Sequence, residues 1–128
     1  MSERDQPQKH ELYLKPLFID QIRLGLKTIE SRIDVPPFRN VKERDIVKFS
    51  SNRDPKRFVV CGIDGRYKYD TFREMLEIEG VQSVFPHIDS IEEAVTIFKR
   101  VKGYSKLEKE FGVLALGLVP LAPRRHHP

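Results

Sequence analysis

The chain has 128 residues, 39% of them hydrophobic, which suffices for one compact domain with a single core and is too little for two. A formal net charge of +4, with 33% of residues charged, gives a moderately basic surface that favours polyanionic partners. No apolar run approaches the length of a membrane span and residues 1–10 lack the apolar stretch of a signal peptide, so a soluble, intracellular protein is expected, and the single cysteine, Cys61, excludes an internal disulfide and a cysteine-rich zinc site.

Residues 1–9 and 122–128 are polar or proline-rich without periodicity and read as flexible tails around a domain at 10–121. "ELYLK" at 11–15 alternates as a strand does, and Pro16 then suits the first turn of a helix. In that helix Phe18, Ile19, Ile22 and Leu26 recur on one face, and Gly25 marks its end. "TIESRI" returns to strict alternation, with Ile29 and Ile33 on one face and Thr28, Glu30 and Arg32 on the other. Residues 45–50 and 56–64 read as two more strands joined by the polar loop "SNRDP", and "DGRYKYD" as a further loop. Cys61 sits in the apolar run "FVVCGI" and reads as a buried small hydrophobe.

Thr71 with Glu74, and Ser90 with Glu93, have the spacing of capping boxes and open two helices, the first with Phe72, Met75 and Leu76 inward and closing at Gly80. A turn at "SKLEKEF", with a third box at Ser105 and Glu108, leads into "GVLALGLV", an apolar run suited to a strand buried on both faces. The order strand, helix, three strands, two helices, strand predicts an α+β fold: a small, mostly antiparallel β-barrel with flanking helices, in which closure removes exposed edges.

Three groups of residues could carry chemistry. Lys27 and Arg32 are cations on either side of Glu30, which lowers the carboxylate pKa and either walls a cleft or forms a surface ion pair. Glu79 falls on the apolar stripe of its own helix, where a carboxylate needs a partner and becomes suited to acid/base work. Arg53, Lys56, Arg57, Arg66 and Lys68, interleaved with Tyr67 and Tyr69, combine the cations and rings that suit phosphate neutralisation and base stacking. His87 precedes a helix entrance and reads as a solvated loop residue. Neither a glycine-rich phosphate loop nor a metal-ligand cluster is present in the sequence, so no metal and no cofactor are expected.

"GLKTIESR", from Gly25 to Arg32, resembles the signature of the ASCH domain, in which a helix ends in Gly-x-Lys-Thr and a strand follows with Glu and Arg. "YDTFREMLEIEGVQSVFPHIDSIEEAV" and "EFGVLALGLV" resemble the central and C-terminal parts of stand-alone members, so the likeness spans residues 11–119. The resemblance implies a PUA-like barrel and a cleft for RNA, single-stranded nucleic acid or a nucleotide, lined by the signature segment. It also implies a role in RNA processing or transcription regulation, with proteins of those processes as partners.

Some members of the family are amidohydrolases of acetylated cytidine and others ribonucleases. Carried over, the amidohydrolase lysine falls on Lys27, its threonine on Glu30 and its glutamate near Glu79, with Glu77 the other register. The missing hydroxyl favours recognition over hydrolysis. The expected ligand-binding residues are therefore Lys27, Thr28, Glu30, Arg32, Arg53, Arg66 and Tyr67. A hydrolase using Lys27 and Glu79, and a protein-interaction module, remain as alternatives.

Overall fold

The computed structural model describes residues 6–122. Of the expected tails at 1–9 and 122–128, residues 1–5 and 123–128 lie outside the described residues, and the chain is hydrogen-bonded from Gln8 onward, whose carbonyl accepts from Ile46 N. Among the described residues five strands, β1 (Lys9–Tyr13), β2 (Ile29–Ile33), β3 (Ile46–Ser50), β4 (Phe58–Tyr69) and β5 (Val113–Pro120), form one sheet in the order β1-β3-β4-β5-β2. Only β1 and β3 pair in parallel. The sheet curls until its two edge strands nearly meet, and Arg32 on β2 bridges the seam by donating to the Tyr13 carbonyl on β1 at 2.8 Å. The expected α+β, mostly antiparallel barrel with flanking helices is the observed architecture.

Alternation along the strands sorts the core into two. Leu12, Val47, Phe49, Val59, Cys61, Ile63, Leu114, Leu116 and Leu118 point into the curl. There α1 (Pro16–Arg23) fills the space with Ile19 and Ile22, both fully buried, each stabilising the fold by about 1.5–3 kcal/mol through area removed from water. On the other side of the wall Ile29, Ile33, Val113 and Ala115 pack against a helical layer. That layer comprises α2 (Phe72–Glu79), α3 (Val81–Val84), α4 (Ile91–Lys99) and α5 (Tyr104–Phe111). β5 is thus buried on both faces, as its unbroken apolar run predicts.

Thr71 and Ser90 cap α2 and α4 as predicted, accepting from Glu74 N at 3.1 Å and Glu93 N at 3.3 Å. Three expectations are corrected. α1 stops at Arg23, with Gly25 at φ +76°, so Leu26 is 56% exposed rather than inward. "DGRYKYD" is strand, not loop: β4 runs through it with Asp64 as an extra residue at a bulge between Ile63 and Gly65, which resets the alternation. The "SKLEKEF" turn is the helix α5, capped at Gly103 and not at Ser105; Glu108 accepts instead from Phe72 N at 2.8 Å. The single turn α3 lacks a side-chain cap and has no periodicity long enough to read.

Candidate nucleic-acid interface

β2 pairs with β5 so that Glu30 stands opposite Leu116 and Arg32 opposite Leu114. Those leucines look into the curl, so the polar face of β2 faces the barrel interior and not open solvent. A polar group there must be paired, and the neighbours supply the partners. Glu30 takes Lys27 Nζ on one oxygen at 3.1 Å and Arg32 Nε on the other at 2.8 Å. Lys27 completes its three donors on the carbonyls of Ile29 at 2.6 Å and Val84 at 2.8 Å. Its ammonium lies 5.1 Å from the Phe18 ring centroid and 5.8 Å from that of Phe85, and the whole side chain is 1% exposed.

Burial holds the Lys27 amine below the usual lysine value, with Glu30 opposing that shift. Burial pushes the Glu30 carboxyl upward, but Lys27 and Arg32 together outweigh it and hold it below the usual carboxylate range. The group is an internally compensated triad: two cations around one carboxylate, with the lysine also fastening α3 to β2. Arg32 alone reaches outward. Its guanidinium lies over Phe38 at 5.3 Å and spans the seam to β1 with a quarter of its side chain exposed.

The predicted residues separate into distinct places. Lys27, Glu30 and Arg32 are brought together; Thr28 is exposed beside them, its N–H donating to Ser83 O and its carbonyl accepting from Leu118 N, both at 2.9 Å. Glu79 is partnered by the Tyr69 hydroxyl and not by Lys27. Burial, with the Glu79 hydrogen bond added, raises the Tyr69 pKa, so the phenol is the neutral donor of the pair.

Arg66 donates to the carbonyls of Val41 at 3.0 Å and Arg39 at 2.9 Å, pinning the turn that contains Phe38. Arg53 stands on the loop before β4 and Arg66 and Tyr67 towards its far end, about 25 Å of strand apart. The expected cluster of Arg53, Arg66 and Tyr67 therefore does not form.

Around Arg53 a different group assembles. The end of β1, the start of α1 and the 51–57 loop enclose an open groove of about 640 Å³ lined by Tyr13, Leu14, Lys15, Pro16, Leu17, Asn52 and Arg53. The Ser51 hydroxyl orders that loop, accepting from Arg53 N at 3.1 Å and Asp54 N at 3.4 Å. Lys15, Asn52 and Arg53 are exposed, the Tyr13 ring is 69% exposed, and the Arg32 guanidinium touches the groove through the Tyr13 carbonyl. Tyr13 was legible: with Leu12 inward, alternation turns Tyr13 out. What the sequence hid is that the chain brings it beside Arg53.

A family model, that of the ASCH domain, matches residues 12–122. The chain belongs to the ASCH domain family. Among solved structures it is similar to the hypothetical protein PH0355, at 33% identity and TM-score 0.79 over 88% of this chain and 99% of that one. It is also similar to protein PF0455 from Pyrococcus furiosus, at 32% identity and TM-score 0.72 over 88% and 97%. ASCH from Zymomonas mobilis shares the fold at 18% identity and TM-score 0.58, over 86% of this chain and 68% of that one. The comparison with curated proteins gives no match. In this ASCH chain the signature lysine is an interior ion-pair partner, and the arginine of the signature is its outward element. Among the described residues no group of three or more His, Cys, Asp or Glu could hold a metal ion, and no helix is long and apolar enough to cross a membrane.

Proposed function

We propose that this ASCH protein binds single-stranded RNA in the groove at the β1–β2 seam. The observation that carries the reading is the composition of that groove. Exposed cations (Lys15, Arg53), an amide (Asn52) and an open aromatic ring (Tyr13) converge beside the Arg32 guanidinium. Cations neutralise phosphates, the amide and guanidinium read base edges, and a ring stacks an unpaired base. Lys27 and Glu30 act one step behind: the carboxylate fixes Arg32 through its Nε, and Lys27 neutralises the carboxylate. Thr28, Arg66 and Tyr67 lie off this groove and are not required by the reading.

Membership of the ASCH family is the supporting context, as is the formal charge of +4. Catalysis by Lys27 and Glu79 is not favoured by any contact, since each is occupied by other partners.

The test is anisotropy of a labelled single-stranded RNA against a duplex of the same length, across salt. The single strand binds, and log K falls with log salt at a slope of about −0.7 for each phosphate neutralised. Arg53→Glu and Lys15→Glu, both at exposed positions, each weaken binding several-fold without moving the melting temperature. Wild-type protein with no affinity for single strands at low salt, or a preference for the duplex, refutes the reading.

A further inference from the structure

The outer face of the sheet is open at the end nearest this groove. Register puts the outward residues in rows: Tyr13, Ser50 and Phe58 in one, Glu11, Lys48 and Val60 in the next. Helices α2 to α5 cover the other end, over Tyr69, Val113 and Ala115. Here, among the described residues, Phe58 is 40%, Val119 43% and Leu121 44% exposed. Tyr13 and Phe58 therefore stand on one row about 10 Å apart, two strand spacings. Lys48 Nζ lies 4.5 Å from the centroid of the Phe58 ring. Beyond Phe58 the face continues into a second open groove of about 860 Å³, whose apolar floor of Val60, Pro120 and Leu121 is flanked by Arg23 and Lys56.

The charge around this face is mainly of one sign. Lys15, Arg53, Lys56 and Arg23 are exposed along it, while Asp20 is engaged by Arg57 and Glu11 lies 3.9 Å from Lys48; Asp54 is an exposed acid on the same loop. Open aromatic rings on one row of the sheet, with one strand between them and cations at the rim, make a stacking platform for unpaired bases, tolerant of sequence because every base has a π-face. An uncharged apolar partner would leave those cations desolvated and unpaired.

We infer that a single strand of RNA leaves the seam groove across the open sheet face, stacking bases on Tyr13 and Phe58, with Lys48 and Lys56 on its phosphates, toward the Arg23 groove. The inference rests on the proposed RNA binding and extends it to a second, separately testable surface.

The experiment uses the full chain, an oligoadenylate of about 12 nucleotides, within the span that stacking platforms occupy, and an abasic oligomer of the same length. Phe58→Ala weakens oligoadenylate binding by about tenfold or more and leaves the abasic oligomer unaffected. The chain has no tryptophan, so Phe58→Trp installs a lone reporter whose emission is quenched when oligoadenylate saturates the protein. Binding that Arg53→Glu weakens but Phe58→Ala does not, or Phe58→Trp emission unchanged at saturation, overturns the platform and leaves the seam groove standing. Phe58→Ala that converts a dimer to a monomer with RNA affinity unchanged overturns it too, and assigns the face to contact between copies. No binding by wild type removes both readings together.

Discussion

Lys27→Ala is the substitution with the most to decide, because a lysine that contacts ligand and a lysine that holds the fold give opposite results. Removing the side chain takes the donor from two carbonyls, Ile29 O and Val84 O, and one of two cations from Glu30, and empties a site that is 1% exposed. Breaking a buried ion pair by removing one partner costs about 3–5 kcal/mol, and Arg32 remaining on Glu30 keeps the figure at about 4 kcal/mol. With 128 residues the unfolding entropy at the midpoint is roughly 0.27 kcal/mol per degree, so the melting temperature falls by about 15 °C.

Lys27→Met fills most of the volume and leaves Glu30 paired with Arg32, so it costs about half as much. Differential scanning calorimetry of the three proteins, with RNA anisotropy on the same samples at 15 °C, reads both effects. A Lys27→Ala protein that melts within about 2 °C of wild type yet loses RNA binding would make Lys27 a ligand contact and not a holder of the fold.

Three other predictions use different measurements. Glu30, Asp34 and Asp45 are all buried and pushed upward by that burial, yet their partners hold each below its usual carboxylate value: Lys27 and Arg32 for Glu30, Lys68 and Arg39 for Asp34, and the Gln8 and Lys42 N–H groups with His10 for Asp45. With folded values depressed, their stabilisation is complete above the ordinary values of 4.5 and 3.8 and is lost as pH falls through and below them; urea midpoints from pH 6 to pH 2.5 should show this acid limb, shallower in Asp45→Asn. Burial pushes the Cys61 thiol up to about 12, so Ellman's reagent at pH 8 leaves the native protein unlabelled and reacts once guanidinium unfolds it. Gly112 has φ +76° and a Cβ there would meet the Tyr69 carbonyl at 2.9 Å, so Gly112→Ala destabilises by about 2 kcal/mol or more, whereas Gly25→Ala, at the same φ with open space around it, costs about 1 kcal/mol; denaturant midpoints separate the two.

Most of the architecture was legible because it is written in local chemistry. Thr71 and Ser90 announce their helices through caps, Pro16 opens one, and "GVLALGLV" reads as an inner strand because it is apolar on both faces. Period-two reading failed at Asp64, where one extra residue flips the side chains that follow, and that turned the second half of β4 into an apparent loop. The site was legible in part for a related reason. Alternation assigns Glu30 and Arg32 to a face, but whether that face meets water depends on how far the sheet curls, a matter of distant pairings between β3, β4 and β5. From its own segment Lys27 reads as a presented cation, because nothing within the signature reveals that the Val84 carbonyl, 57 residues on, will accept from it.

The proposed RNA site is tested most directly by ¹H–¹⁵N correlation spectra of the full chain titrated with a short single-stranded RNA. Shifts concentrated at residues 13–17, at the Arg32 side chain and at residues 51–58 are expected, with the amides around Glu79 and Tyr69 unmoved. Shifts centred on Glu79 and Thr28, with the seam groove silent, would contradict it.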